Sequence, residues 1–394
     1  MTITANAFPP CEAETLLNWR QDFHRHPETA FEEHRTSHRI AEILREAGLE
    51  FITGLGGGTG IVATLEGRQG PGPTIGLRAD IDALDITEAN DLPYASKTRG
   101  KMHACGHDGH TTMLLGAACR LARKPDFAGR VHFIFQPAEE SEGGGRVMVE
   151  EGLFERFPME AVYGVHNWPG LPVGEAAVHD TAVMAAFDVF TLKLKGHGCH
   201  AAMPHLGSDT LLAACQLVNQ LQGLISRETP AHQTAVLSVT QFHAGDAFNV
   251  IPQTVELRGT LRCFDEKLRQ HLAQRFSDAV QAQAHFYRLE ADLDYQPRYP
   301  ATFNSPEHAQ HCTAVLDAMP EITRVHRDLP PSMASEDFAF MLNERPGAYI
   351  WLGNGENSPA LHNPHYDFND QLSPIGVSYW VQLVEQLLGK QPTT

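Results

Sequence analysis

At 394 residues, with 42% hydrophobic and 20% charged side chains, the chain has an ordinary soluble, globular composition and exceeds the length at which one core keeps growing, so two domains are expected. Its formal net charge of −18 disfavours nucleic acid and anionic membranes as partners, since both select basic surfaces, and leaves small-molecule chemistry. The first ten residues lack the basic and apolar regions of a secretory signal, no run is long enough to span a bilayer, and seven scattered cysteines disfavour a disulfide framework, so a reducing cytoplasm is the expected compartment.

Apolar periodicity predicts helices near 12–24 and 34–47 and strands near 60–65 and 74–79. The glycine-rich stretch 54–60 lacks the Gly-Lys-Ser/Thr ending of a phosphate loop and precedes a strand where such a loop follows one, so it reads as a turn. The second strand runs into Arg78-Ala79-Asp80-Ile81-Asp82. Next comes the most informative stretch, Met102-His103-Ala104-Cys105-Gly106-His107-Asp108-Gly109-His110, in which a thiol and an imidazole two residues apart stand beside a carboxylate and further histidines. That is a metal-ligand pattern. Glycines let the backbone turn there, and Thr111-Thr112 then opens a helical pattern through Met113, Leu114, Ala117, Ala118 and Leu121.

A strand near 131–135 leads to Gln136-Pro137-Ala138-Glu139-Glu140, and another near 161–165 to His166-Asn167-Trp168. Glu139-Glu140 alone would be a solvated pair. At a strand's end, beside a metal-ligand cluster, adjacent carboxylates can divide into one metal ligand and one general base. Alternating helices and strands imply an α/β sheet flanked by helices, whose ligands gather beyond the carboxyl ends of its strands.

From about 186 the rhythm changes to strand 187–195, helix 209–225, strands 234–242 and 254–263, helix 266–286 and strand 288–295, the βαββαβ order of a ferredoxin-like α+β unit. A helix near 305–318, a strand at 348–352 and a closing helix near 376–388 return to α/β material. The expected domains are therefore a catalytic domain in two parts, 1–185 and 299–394, with 186–298 inserted between them.

The motifs Gly76-Leu77-Arg78-Ala79-Asp80-Ile81-Asp82-Ala83-Leu84, His103 to His110, Gln136 to Glu140, Gly164-Val165-His166, Gly198-Cys199-His200-Ala201-Ala202, Phe248-Asn249-Val250-Ile251-Pro252, Ser335-Glu336-Asp337-Phe338 and Leu361-His362-Asn363-Pro364 together resemble the M20 metallopeptidase family, most closely its amidohydrolase branch of hippurate hydrolases, N-acyl-L-amino acid amidohydrolases and auxin-conjugate hydrolases. The resemblance covers nearly the whole chain in order. It implies a binuclear site of Cys105, His107, Glu140, His166 and His362, Glu139 as general acid and base, and Asp80 behind the ligands. The inserted domain would serve as a lid and dimerisation domain. In it, His200, with His205 nearby, would donate to the developing oxyanion in the partner's site of a homodimer, while Asn249 and Arg262 would hold the substrate carboxylate.

What this implies is hydrolysis of N-acyl amino acids, hippurate-like ones favoured, with two divalent ions drawn from zinc, manganese, cobalt and nickel. The alternatives are a dipeptidase of the same family, for which no acidic residue stands out to hold a substrate amine, and a binding protein on the same scaffold, which would be expected to lack a ligand or the base. Cys199 and Ala334 replace glycines of the family pattern and Asp85 a proline; none is a proposed ligand, so they bear on the substrate.

Overall fold

Eight strands form one mixed sheet, ordered Glu50–Leu55, Gly60–Glu66, Arg130–Gln136, Thr74–Asp80, Ala161–Pro169, Gly347–Gly355, Glu175–Val178 and Arg324–His326. The four central strands run parallel, with Asp80 in register with Gln136 and His166 with Trp351. Their carboxyl ends therefore lie together, as the polar punctuation of the sequence leads one to expect. The computed structural model describes residues 10–140 and 142–389. By internal contacts the chain divides into two units, Met1–Val183 with Phe303–Pro330 and Asp337–Thr394, and Met184–Thr302 with Pro331–Glu336. The short segment Pro331–Glu336 thus joins the second unit, although it follows the return to α/β material.

The helices His107–Arg123 and Leu372–Leu388 show how closely the first unit's core is packed. Met113, Leu114, Leu115 and Ala117 of one and Ile375, Val377, Tyr379 and Trp380 of the other are buried. Their axes come close because both carry glycine at the contact: a Cβ at Gly116 would lie 2.5 Å from Val377, and one at Gly376 only 2.0 Å from Met113. The sequence reading starts the first of these helices at Thr111, but it begins at His107, after Gly106 at φ +99°. Two metal-type histidines thereby enter its opening turn. Likewise His166, expected beyond a strand ending at 165, lies inside Ala161–Pro169. The short strands Glu50–Leu55, Glu175–Val178 and Arg324–His326 and the helix Gly144–Glu150 carry too few residues for a periodic signal.

The second unit has a four-stranded antiparallel sheet ordered Ala235–Ala244, Thr254–Cys263, Ala186–Lys195 and Glu290–Tyr299, which is the ferredoxin-like arrangement. Helices Thr210–Glu228 and Glu266–Tyr287 are capped by Asp209 and Asp265, whose carboxylates accept from the Leu212 and Leu268 amides at 2.9 and 2.7 Å. They bury Leu217, Leu221, Leu272 and Phe276 against Phe190, Leu192 and Leu257. Asp188, facing the same side, is buried yet satisfied, accepting from Arg269 Nε and Tyr295 Oη, each at 2.8 Å. Arg288, at φ +58°, ends the second helix, and the last strand starts at Glu290 and runs on to Tyr299. Cys105, Cys119, Cys199, Cys215, Cys263 and Cys312 are free, and among the described residues no helix is long and apolar enough to cross a membrane.

Candidate metal centre

At the carboxyl ends of the parallel strands, Cys105, His107 and His166 bring their ligand-type atoms within 4.8 Å of one another, as do Cys105, Glu140 and His362, and His107, Glu139 and Glu140. The groups overlap, so five residues that the sequence singles out as ligands form one cluster beside Glu139. Cys105 Sγ lies 3.4 Å from His166 Nε2, and His362 Nε2 lies 3.3 Å from Glu140 Oε1. His107 Nε2 is 3.8 Å from both Glu140 Oε1 and Asp80 Oδ2.

Hydrogen bonds choose the tautomers. His107 Nδ1 is 2.9 Å from the Asp82 carbonyl oxygen and 3.1 Å from Asp82 Oδ1, both acceptors, so Nδ1 carries the proton in the neutral ring and Nε2 keeps a lone pair. His166 Nδ1 donates to the Asn167 carbonyl at 2.6 Å, which likewise frees Nε2 toward Cys105. Buried His107 Nε2 has no hydrogen-bond partner among the described residues. An orphaned nitrogen, a buried thiol and several carboxylates are what a divalent cation would satisfy together, so the donor set fits a metal.

The electrostatics point the same way. Burial opposes charge on His107, yet Asp80, Asp82 and Glu140 push it up to about 10. Burial and then Glu140, Glu139 and Asp80 hold the Cys105 thiol well above its usual range, while burial and His110 drive His166 well below. Without a cation the pocket keeps protons where ligands are needed; a dication reverses that preference.

Several residues that sequence reasoning passed over hold this cluster in shape. Asp82 is one: besides gripping His107, its Oδ2 accepts from the Glu140 amide at 3.0 Å. The signal was present, since Asp80 and Asp82 are two residues apart at a strand's end and so project to one side. Asp80 itself meets His110 Nδ1 at 2.6 Å and Arg78 Nη1 at 2.8 Å. His110 is engaged on both ring nitrogens, the other by Asn167, which leaves it no free lone pair. Arg78 also reaches Asp337 at 3.0 Å, and the Asp337 amide lies 3.3 Å from Glu139 Oε1. Asn167 and Asp337 are distant in sequence from His110 and Arg78, so these two pairings carry no local pattern.

Two non-glycine residues here have positive φ, Ala138 at +55° and His362 at +63°. Such a conformation costs an L-residue about 1–2 kcal/mol and persists where surroundings over-determine it.

His200, Asn249 and Arg262 belong to the second unit. His200 is exposed and pairs with Val250 in a two-stranded ribbon. Its Nδ1 accepts from the Ala202 amide at 3.1 Å, which leaves Nε2–H as a donor. Asn249 is exposed. Arg262 stacks 4.4 Å over Phe187 and donates from Nη1 to the Met333 carbonyl at 2.8 Å. Cys199 sets its sulfur beside Gly207, where a Cβ would lie 2.5 Å away. His205 and Asp85 are exposed.

The family model described as peptidase family M20/M25/M40 matches residues 76–386. N-acetylcysteine deacetylase of Bacillus subtilis is 36% identical over 369 residues, covering 93% of this chain and 95% of the relative. Hippurate hydrolase of Campylobacter jejuni is also 36% identical, covering 94% and 95%. Among solved structures, a Bacillus subtilis protein described as a dinuclear metal binding peptidase from the M20 family superposes with a TM-score of 0.83 at 33% identity, covering 96% of this chain and 99% of that one. The chain, with its buried thiol, histidines and paired carboxylates at the sheet's carboxyl edge, therefore belongs to the M20 peptidase family, in its amidohydrolase branch.

Proposed function

We propose that the protein hydrolyses the amide bond of N-acyl-L-amino acids, hippurate-like ones favoured, releasing a carboxylic acid and an amino acid. The observation that carries this reading is the overlapping cluster of Cys105, His107, His166, Glu140 and His362 with a second carboxylate, Glu139, at its side. The names of the deacetylase and hippurate hydrolase relatives support the substrate class.

The five clustered residues would hold two divalent ions, which when bound supply Lewis acidity toward the amide carbonyl and toward water. Glu139 takes a proton from the attacking water and returns it to the leaving nitrogen. A ligated carboxylate has its basicity lowered, so this task falls to Glu139 and not to Glu140. His200, through Nε2–H, donates to the carbonyl oxygen as it gains negative charge, and loss of one such donor typically costs about 10²–10³-fold in rate. Asn249 and Arg262 hold the free carboxylate; Arg262 has only its bond to Met333 among the described residues, so most of its fork remains for a ligand.

The test is a panel of acyl-amino acids, their amides and simple dipeptides, assayed after loading with zinc, manganese, cobalt or nickel. The acids are expected to be turned over, amidation of the carboxylate to lower kcat/KM sharply, and Arg262→Ala to erase the difference between acid and amide. Equal hydrolysis of acid and amide by the unaltered enzyme would rule out carboxylate recognition. Preference for dipeptides would move the protein to the dipeptidases.

We also propose a homodimer in which His200 of one chain serves the site of the other. The strand Ala235–Ala244 lies at the edge of its sheet with Val236 and Phe242 exposed, and such edges are normally covered. His200→Ala and Glu139→Gln homodimers should each be nearly inactive, and mixing them with subunit exchange should restore part of the activity. No recovery under demonstrated exchange would place His200 in its own chain's site or outside catalysis.

A further inference from the structure

Glu33 is fully buried at the start of the helix His34–Glu46, and the reaction as described makes no use of it. Its Oε1 accepts from the Ala138 amide at 3.0 Å and its Oε2 from Thr59 Oγ1 at 2.7 Å. Ala138 is itself buried, sits at φ +55° and immediately precedes Glu139. Its carbonyl is held too, by the Gly144 amide at 2.9 Å, in a turn so tight that a Cβ at Gly144 would lie 1.8 Å from the Pro137 carbonyl oxygen. We propose that Glu33 is a positioning residue: its carboxylate holds the left-handed backbone at Ala138 and thereby aims the Glu139 side chain.

Without that acceptor, two buried donors lose their partner and Ala138 is free to relax to negative φ, which turns the next side chain away. The effect should fall on Glu139 more than on Glu140, because the Glu140 amide has its own anchor on Asp82 Oδ2. Placing a carboxylate there is costly, as burial and then Asp82 push Glu33 up to about 7. Costs of that kind are tolerated where a group sets the geometry of a site. This inference rests on Glu139 serving as the base in the reaction proposed above.

The experiment measures kcat, KM and bound Mn²⁺ for Glu33→Ala and Glu33→Gln, each with Ala138 and with Ala138→Gly, on an N-acyl amino acid that the unaltered enzyme hydrolyses. Glu33→Ala should lose about 10–100-fold in kcat, the scale of a misplaced catalytic group, with KM and bound Mn²⁺ little changed. Glu33→Gln should keep most activity, since its amide oxygen can still accept from Ala138. In the Ala138→Gly background, where positive φ carries no steric cost, Glu33→Ala should fall little below its own parent.

A folded Glu33→Ala protein with unaltered kcat overturns the proposal, and so does an equal loss in both backgrounds. If Glu33→Ala folds only with Ala138→Gly, that pair decides: near-parental kcat supports the proposal and a large loss overturns it. Failure to fold in both assigns Glu33 to the fold alone and overturns it as well. Amide hydrogen exchange across 138–143 needs no turnover: it should speed in Glu33→Ala while strand Arg130–Gln136 stays protected, and unchanged exchange would again overturn the proposal. That measurement stays legible if the unaltered enzyme hydrolyses no N-acyl amino acid, the outcome that sinks the proposed function instead.

Discussion

Glu139→Gln should lose about 10²–10⁴-fold in kcat, or more because one group serves two proton transfers, while keeping its fold and its bound metal. The amide has the shape of the carboxylate but cannot take a proton from water. Glu139 is only 6% exposed and lies within reach of the Asp337 amide, so the variant side chain should stay in place and the loss should be chemical. Steady-state kinetics with metal analysis on the same sample reads both quantities. Near-normal turnover would assign the base elsewhere. Glu140→Gln should behave differently and weaken metal binding, since that carboxylate stands between His107 and His362.

Removing divalent metal should abolish turnover, and restoring it should return activity. With no dication, Cys105 remains a neutral thiol and His107 holds a proton between Asp80, Asp82 and Glu140, a state in which neither can act as a ligand. Binding must therefore expel protons, and calorimetric titrations in buffers of different ionisation enthalpy should show that release. The loaded protein should also melt higher, since a ligand at a hundredfold excess over its Kd adds about 2.7 kcal/mol to stability. Full turnover in a preparation shown by elemental analysis to be metal-free would end the metallohydrolase reading.

What could be read from the sequence was what repeats locally or sits within a few residues. The βαββαβ order declared itself because its strands are long and its helices carry complete apolar stripes, as at Leu268, Leu272, Phe276 and Val280. Cys105, His107, Glu139 and Glu140 were legible as chemistry because two short segments concentrate unusual donors. His166 was legible as polar punctuation at a strand's end, but its role as a ligand, like that of His362, came only through resemblance, since an isolated histidine carries no spacing signal. The long-range supports were invisible for a related reason: Arg78 meets Asp337 across 259 positions, and Glu33 meets Ala138 across 105. Boundary errors have local causes, chiefly Gly106, whose left-handed backbone starts a helix four residues before apolar periodicity begins.

The strand order of the first unit also bears on how the protein is made. Strand Gly347–Gly355 lies between Ala161–Pro169 and Glu175–Val178, so the centre of that sheet has a gap until the ribosome has passed the whole of the other unit. The stretch Met184–Thr302, by contrast, carries its own four-stranded sheet with the two helices packed on it and can close on itself while synthesis continues. His362 lies beyond the late strand. Nascent chains arrested before residue 347 should therefore hold a folded ferredoxin-like unit and an open, unfinished half-sheet that exposes apolar surface and still lacks His362 of the candidate metal centre.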